Sequence, residues 1–351
     1  MKKIFLTVLI LFCISSFIKA QVSGYVFGDY FYKVAGDTIN GKNTLGSTQY
    51  NKVLKDYQAF EIRRIYITFD HKISDDFSVR AQLEGNNTST LPNNKFSVWL
   101  KSAYLSWKNL IPNASINVGL TPTPTWDIEE TIWNFRCLEK TFLDMRSFGN
   151  GVDLGIALNG SFDDKNKFGY NFMIGNGTGQ TSENNKFKKY YLSLYSKHID
   201  NFTIQGYGDY EPNGLNDNNK ITAKGFAAYQ SKDLTIGVSV NHQFIQNAFG
   251  GGVNRRVFGL STFAWVPLYK VKDKSLINAV ARFDMYDPDL GNTTYGYKEN
   301  FILIGLDLMP VENVHFIPNV WIQSYSNKES GVTNSANTDI TARLTFYYRY
   351  K

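Results

Sequence analysis

Cysteine is nearly absent from this chain of 351 residues: Cys13 sits in an apolar N-terminal stretch, and Cys137 is the only one after residue 20. A mature chain starting at Gln21 can form no internal disulfide, and a cysteine-built zinc site is excluded. Long apolar runs are missing too. After residue 20 none approaches the roughly 20 residues that a helix needs to cross a bilayer. If the mature chain enters a membrane, it must do so as a closed barrel, whose strands satisfy one another's backbone polar groups. Nor is there an excess of one charge: the formal net charge of +6 falls to about +3 without Lys2, Lys3 and Lys19, too even for a nucleic-acid-binding stripe. No nucleic-acid partner is expected.

Catalytic signatures are also lacking. His71, His198, His242 and His315 lie on separate segments without the i,i+4 spacing of a metal site, and no G-x-S-x-G elbow occurs. The reading is therefore not an enzyme, with no metal and no cofactor. GNGTGQT, from Gly175 to Thr181, resembles a phosphate cradle but lacks the lysine that would follow, and reads as a loop. DPDLGN, from Asp287 to Asn292, reads as a turn, with a calcium ion as the lesser alternative.

What is present begins with MKKIFLTVLILFCISSFIKA. Lys2 and Lys3, the apolar run Ile4 to Phe17 and Ala20 read as a cleaved secretory signal over residues 1–20, leaving residues 21–351 as one unit. Aromatic residues are plentiful, with 22 tyrosines and 26 phenylalanines. From Val22 the chain breaks into sixteen runs of about ten residues with period-two alternation, the signal of strands with one face to lipid and one to water. They fall near 22–33, 59–72, 76–86, 96–108, 113–121, 150–160, 167–176, 187–198, 201–211, 219–230, 233–245, 255–267, 275–286, 299–309, 313–325 and 337–350. Ile302, Ile304, Leu306 and Leu308, for example, oppose Leu303, Gly305 and Asp307. In the fourth run Lys101 shares its parity with Trp99, Leu105 and Trp107, so alternation leaves its orientation open. Connections alternate between long and short, which places both termini at the periplasmic rim of an all-β, 16-stranded antiparallel transmembrane barrel. Aromatic clusters at Tyr30 to Tyr32, Tyr190 to Tyr191 and Tyr347 to Tyr350 are candidates for interfacial girdles.

One stretch breaks the rhythm: TPTPTWDIEETIWNFRCLEKTFLDMRSFGN, with two prolines, two tryptophans, mixed charge and a helix-like middle. A loop of this length inside a compact chain is usually functional. It is expected to fold into the barrel mouth, with residues 125–145 as a constriction. Glu129, Glu130, Arg136, Glu139, Lys140, Asp144 and Arg146 are the charges expected near the waist. On the facing wall, alternation points Arg64, Arg80, Glu84, Arg282, Asp284 and Arg343 inward, together with Lys224, with Arg80, Arg282 and Arg343 as the basic side of the eyelet. Opposed charges across a narrow waist select solutes by size and polarity. Trp126, Trp133, Phe135 and Phe142 are expected to anchor the loop, and Cys137 to be a buried filler.

FEIRRIYITFDHKISDDFSVRAQLEG, INVGLTPTPTWDIEE, VARFDMYDPD and LIGLDLMPVENVHFIPNVWIQ resemble the phosphate-selective porin O and P family. The resemblance implies a trimeric sixteen-stranded barrel with its third extracellular loop in the lumen. Its phosphate selectivity does not follow, because the inward charges read as mixed. The expected function is an outer-membrane porin in contact with lipid, passing small polar solutes and ions down their gradients. An anion- or phosphate-selective porin and a non-conducting adhesion or lipid-acting barrel are the competing readings.

Overall fold

The structure, a computed structural model, describes residues 20–36, 53–91, 93, 95–213, 218–272, 274–292, 296–328 and 336–351. The expected signal lies outside them except for Ala20, which opens the first strand. Sixteen antiparallel strands follow: β1 (Ala20–Ala35), β2 (Gln58–Lys72), β3 (Phe77–Thr90), β4 (Phe96–Lys108), β5 (Ala114–Pro122), β6 (Val152–Ser161), β7 (Phe168–Gly175) and β8 (Lys189–Ser196). The second half holds β9 (Phe202–Glu211), β10 (Lys220–Gln230), β11 (Thr235–Ile245), β12 (Arg255–Val271), β13 (Lys274–Asp287), β14 (Tyr297–Val311), β15 (Val314–Asn327) and β16 (Asp339–Tyr350). Each strand pairs with its neighbours in sequence, and β1 pairs with β16 to close the barrel. Closure removes the free edges that an open sheet would leave. Among the described residues no helix is long and apolar enough to cross a membrane.

Alternation sets the two faces. On β14, Ile304, Leu306 and Leu308 are exposed on the outside of the barrel, whereas Phe301, Leu303 and Asp307 are buried inside it. Such strands cannot slip by one residue without turning their apolar set to the wrong side. Adjacent aromatics in the expected girdles straddle the wall. Tyr190 is exposed and Tyr191 buried, and Tyr348 and Tyr350 are exposed while Tyr347 is buried. Only one member of each pair can serve a girdle.

Among the register shifts of the wall, two reset this parity beside the lumen charges. Opposite Phe27 and Gly28 the register on β2 skips from Arg64 to Ile62, so Arg63 and Arg64 both reach the interior. Opposite Gln82 and Leu83 it skips from Ser102 to Leu100, so Lys101 and Ser102 both face inward. Lys101 therefore shares a face with Trp99 and not with Leu105 or Trp107. An extra residue in one strand shifts every side chain beyond it by one place, which simple alternation cannot anticipate.

Short connections gather at one rim and, apart from 91–95 between β3 and β4, longer ones at the other. The short-turn rim carries tight turns such as 231–234 and 312–313. In the turn after β6, backbone N–H groups of Lys167, Phe168 and Lys165 hold the Asp163 carboxyl below its usual range. On the long-loop side the glycine-rich stretch after β7 binds a carboxylate of its own chain: the N–H groups of Gly177 and Gly179 donate to Asp153 at 2.7 and 3.1 Å. Both glycines have positive φ, +83° and +66°, which suits residues without a Cβ. Asp287 is taken up by Lys328 at 2.6 Å, and Asp289 accepts the N–H of Gly291, so DPDLGN holds itself as a turn.

Candidate functional site

The segment between β5 and β6 contains two short helices, α1 (Asp127–Trp133) and α2 (Phe142–Met145). Acidic Asp127, Glu129 and Glu130 lie in the first turn of α1, where the helix dipole favours them. Asn134 ends it in the left-handed region, with its N–H on the Glu130 carbonyl. The segment's bonds run to inward side chains, so it packs against the inner surface of the wall. Arg63 donates to the Cys137 carbonyl at 2.9 Å, Arg343 to the Leu138 carbonyl at 3.0 Å, Lys224 to the Thr125 carbonyl at 2.9 Å and Gln243 to the Phe148 carbonyl at 3.0 Å. Arg282 donates to the Lys140 carbonyl.

Apolar packing fixes the same side. Trp133, Phe135, Leu138 and Met145 join Phe226, Phe263, Phe301, Leu303, Ile317 and Trp321 in one buried cluster. Trp126, Phe142 and Phe148 join a second with Met173, Tyr191 and Tyr207. Phe142 seats against Gly259 of β12, where a Cβ would collide with its ring. The four aromatics expected as anchors are all buried here, as is Cys137. Burying a ring of this size contributes about 1.5–3 kcal/mol, so the segment is held by packing as well as by bonds.

Under the segment, buried cations are matched by carboxylates. Asp29, fully buried, lies 3.2 Å from both Arg63 and Arg343 and also accepts the Thr345 hydroxyl. Arg343 lies over the Trp321 ring at 3.6 Å. Arg282 pairs with Asp284 at 2.7 Å, Lys224 with Glu129 at 3.3 Å, and Arg146 with Glu299. Arg282 and Arg343, expected on the basic side of an eyelet, are thus covered by the segment and act as clamps on its backbone. Glu129 and Glu139 are buried as well; Ser239 donates to Glu129, and the Glu139 side chain accepts the Lys140 N–H.

The opposite wall, β3 to β5, is left uncovered. Three cavities adjoin beside it, the first also reaching β10 to β13 and the third β6 to β10. The first, about 700 Å³, is lined by Arg80, Gln82, Lys101 and Ser102 on the wall and by Glu130, Arg136, Lys140, Asp144 and Arg146 on the segment. The second, about 450 Å³, shares Arg80 with the first and adds Tyr104, Ser106, Ser115 and Asn117. The third, about 750 Å³, shares Lys108 and Ser115 with the second and reaches Asp127 and Thr131 of the segment. Arg136 is flanked by Glu130 and, at 2.6 Å, by Asp144. Glu84 bridges Arg64 at 2.8 Å and Lys101 at 2.9 Å, and Arg80 binds Asp70 through two bonds of 2.7 and 2.8 Å. Of the wall residues expected at the waist, Arg80 lines this space. Lys101, Gln82, Asp127 and Thr131 were not anticipated there, Lys101 because a bulge hides its direction, as another hides that of Arg63 under the segment.

No protein-family model matches the chain, and no curated protein does. Solved structures do. An anion-selective porin from Comamonas acidovorans aligns with a TM-score of 0.64 at 10% identity, covering 95% of this chain and 99% of that one. The outer membrane channel DcaP of Acinetobacter baumannii aligns at 0.66 and 12% identity, covering 94% and 97%. OmpF of Salmonella typhi, solved with daunomycin, aligns at 0.62 and 12% identity, covering 95% and 98%. At these identities the likeness is one of fold.

Proposed function

We propose that the chain is a passive diffusion channel of an outer membrane, through which small polar solutes and ions pass between the inserted segment and the β3 to β5 wall. The observation that carries this reading is the row of three adjoining cavities with a hydroxyl, amide and charged lining, inside a barrel whose outer face presents apolar side chains. Residues 1–20 serve as the export signal in this reading, and the long loops face outward. The quoted stretches that resemble phosphate-selective porin O and P sequences support placement near that family and assembly as a homotrimer. In a planar bilayer the purified, folded protein is expected to give stepwise, ohmic current. A folded protein that gives none supports the non-conducting adhesion or lipid-acting reading instead.

A second reading, an anion-preferring channel, is favoured by the lining of the first cavity. Arg80, Lys101, Arg136, Lys140, Arg146, Lys220 and Arg255 stand there against Glu130, Asp144 and Glu211, with Asp70, Glu84 and Glu299, the partners of Arg80, Lys101 and Arg146, outside its lining. A narrow space lined mostly by one sign of charge concentrates the opposite ion. The reversal potential in a salt gradient separates the two readings.

A further inference from the structure

A recess of about 640 Å³ opens at the short-turn rim on the packed side of the lumen, away from the β3 to β5 wall. None of its lining residues belongs to the three cavities of the passage. Asn134, Phe135 and Cys137 of the inserted segment form its roof, and the ends of β13 to β16 nearest the short turns form its walls. It is blind, because Phe135, Cys137, Ile317 and Tyr347 belong to the buried cluster above it.

Elsewhere on this side of the barrel the inward apolar side chains are capped by the segment. Here Leu276 and Met309 are only half-buried and border an open concavity of the size that holds small organic molecules, with buried Ile317 and Tyr347 behind them. Its charges are unequal in availability. Lys274 is paired with Glu312 at 2.9 Å, so the two offset each other. Arg349 lies over the Tyr347 ring at 5.3 Å and is bonded to its hydroxyl, but forms no ion pair among the described residues. His315 places Nδ1 2.8 Å from Asp307 and its ring 5.0 Å from that of Tyr347, which leaves Nε2 as the second polar contact of the recess. An apolar concavity with one available guanidinium at its rim matches a ligand with an apolar body and a single negative group.

We propose that this recess is a binding site for a small amphipathic carboxylate, its flat or branched apolar body against Leu276 and Met309 and its carboxylate on Arg349. Such a ligand enters from the short-turn side and leaves the passage along β3 to β5 open. The probe is 2-naphthoate, titrated calorimetrically into the full mature protein in detergent. Saturable binding is expected, weakened about tenfold by Arg349→Gln, the factor that corresponds to loss of one charge-assisted contact. Leu276→Trp, which fills the mouth, is expected to abolish it. Both variants are checked for barrel folding by circular dichroism. Absence of saturable binding, or binding that ignores Arg349→Gln and Leu276→Trp, overturns the site. The readout is binding and not current, so its failure is distinct from failure of the channel reading.

Discussion

The two sides of the lumen solve opposite problems. Where the segment packs against β12 to β15 the inner face is dry: Phe263, Val280, Phe301, Leu303, Ile317 and Trp321 are at most 4% exposed, and the buried arginines beside them carry carboxylate partners. Along β3 to β5 the inner face carries Gln82, Tyr104, Ser106 and Asn117 beside open space, and the Arg80–Asp70 pair is about two-fifths exposed. The contrast teaches that an inward cation need not be a selectivity element. Arg282 and Arg343 hold a backbone in place, while Arg80 and Lys101 border the passage. Counting basic residues on inward strand positions would merge these two roles.

The comparison can be broken most strongly at Asp29. Asp29→Ala strands Arg63 and Arg343 without their shared carboxylate, and removing one partner of a buried pair costs about 3–5 kcal/mol. Asp70→Ala, its counterpart on the open side, is expected to cost no more than about 1 kcal/mol, because exposed pairs are screened by water. Urea unfolding of both variants measures the difference, and equal losses would erase the distinction between the two sides. Deleting residues 125–145 should raise single-channel conductance at least about twofold, since the segment narrows the lumen. An unchanged conductance would mean that the waist lies elsewhere. The smallest effect is expected from Lys140→Glu, which lines the first cavity and is paired loosely with Asp144 at 3.8 Å. The reversal potential should move by a few millivolts, on the order of 0.1 kcal/mol, towards cations, whereas Arg343→Gln should leave ion preference unchanged.

The strands were legible because period-two alternation is a direct consequence of a wall between lipid and lumen. It failed where the wall departs from that premise. Bulges at Arg63 and Lys101 reversed parity locally, and nothing in FEIRRIY or WLKSAY marks an extra residue. The dry side left a signal that alternation passes over: Phe301, Ile302, Leu303 and Ile304 are apolar on both faces, and a strand apolar on both faces is covered on both. That run could have indicated which wall the inserted segment lies against. The aromatics of the segment gave its anchoring role, because rings of that size seldom stay in water. The partners of its charges were not legible, since Glu129 with Lys224 and Arg146 with Glu299 meet only after the barrel has closed.

The claim on which the account depends is that solute moves along one side of the lumen only. Single cysteines at Ser106 and Asn117, and at the buried Ser261 and Thr345, in a Cys137→Ser background, test it when a charged thiol reagent is added during bilayer recording. The account predicts a stepwise fall in current at Ser106 and Asn117 and none at Ser261 and Thr345. Block at the latter pair, or current indifferent to modification at the former, would contradict it.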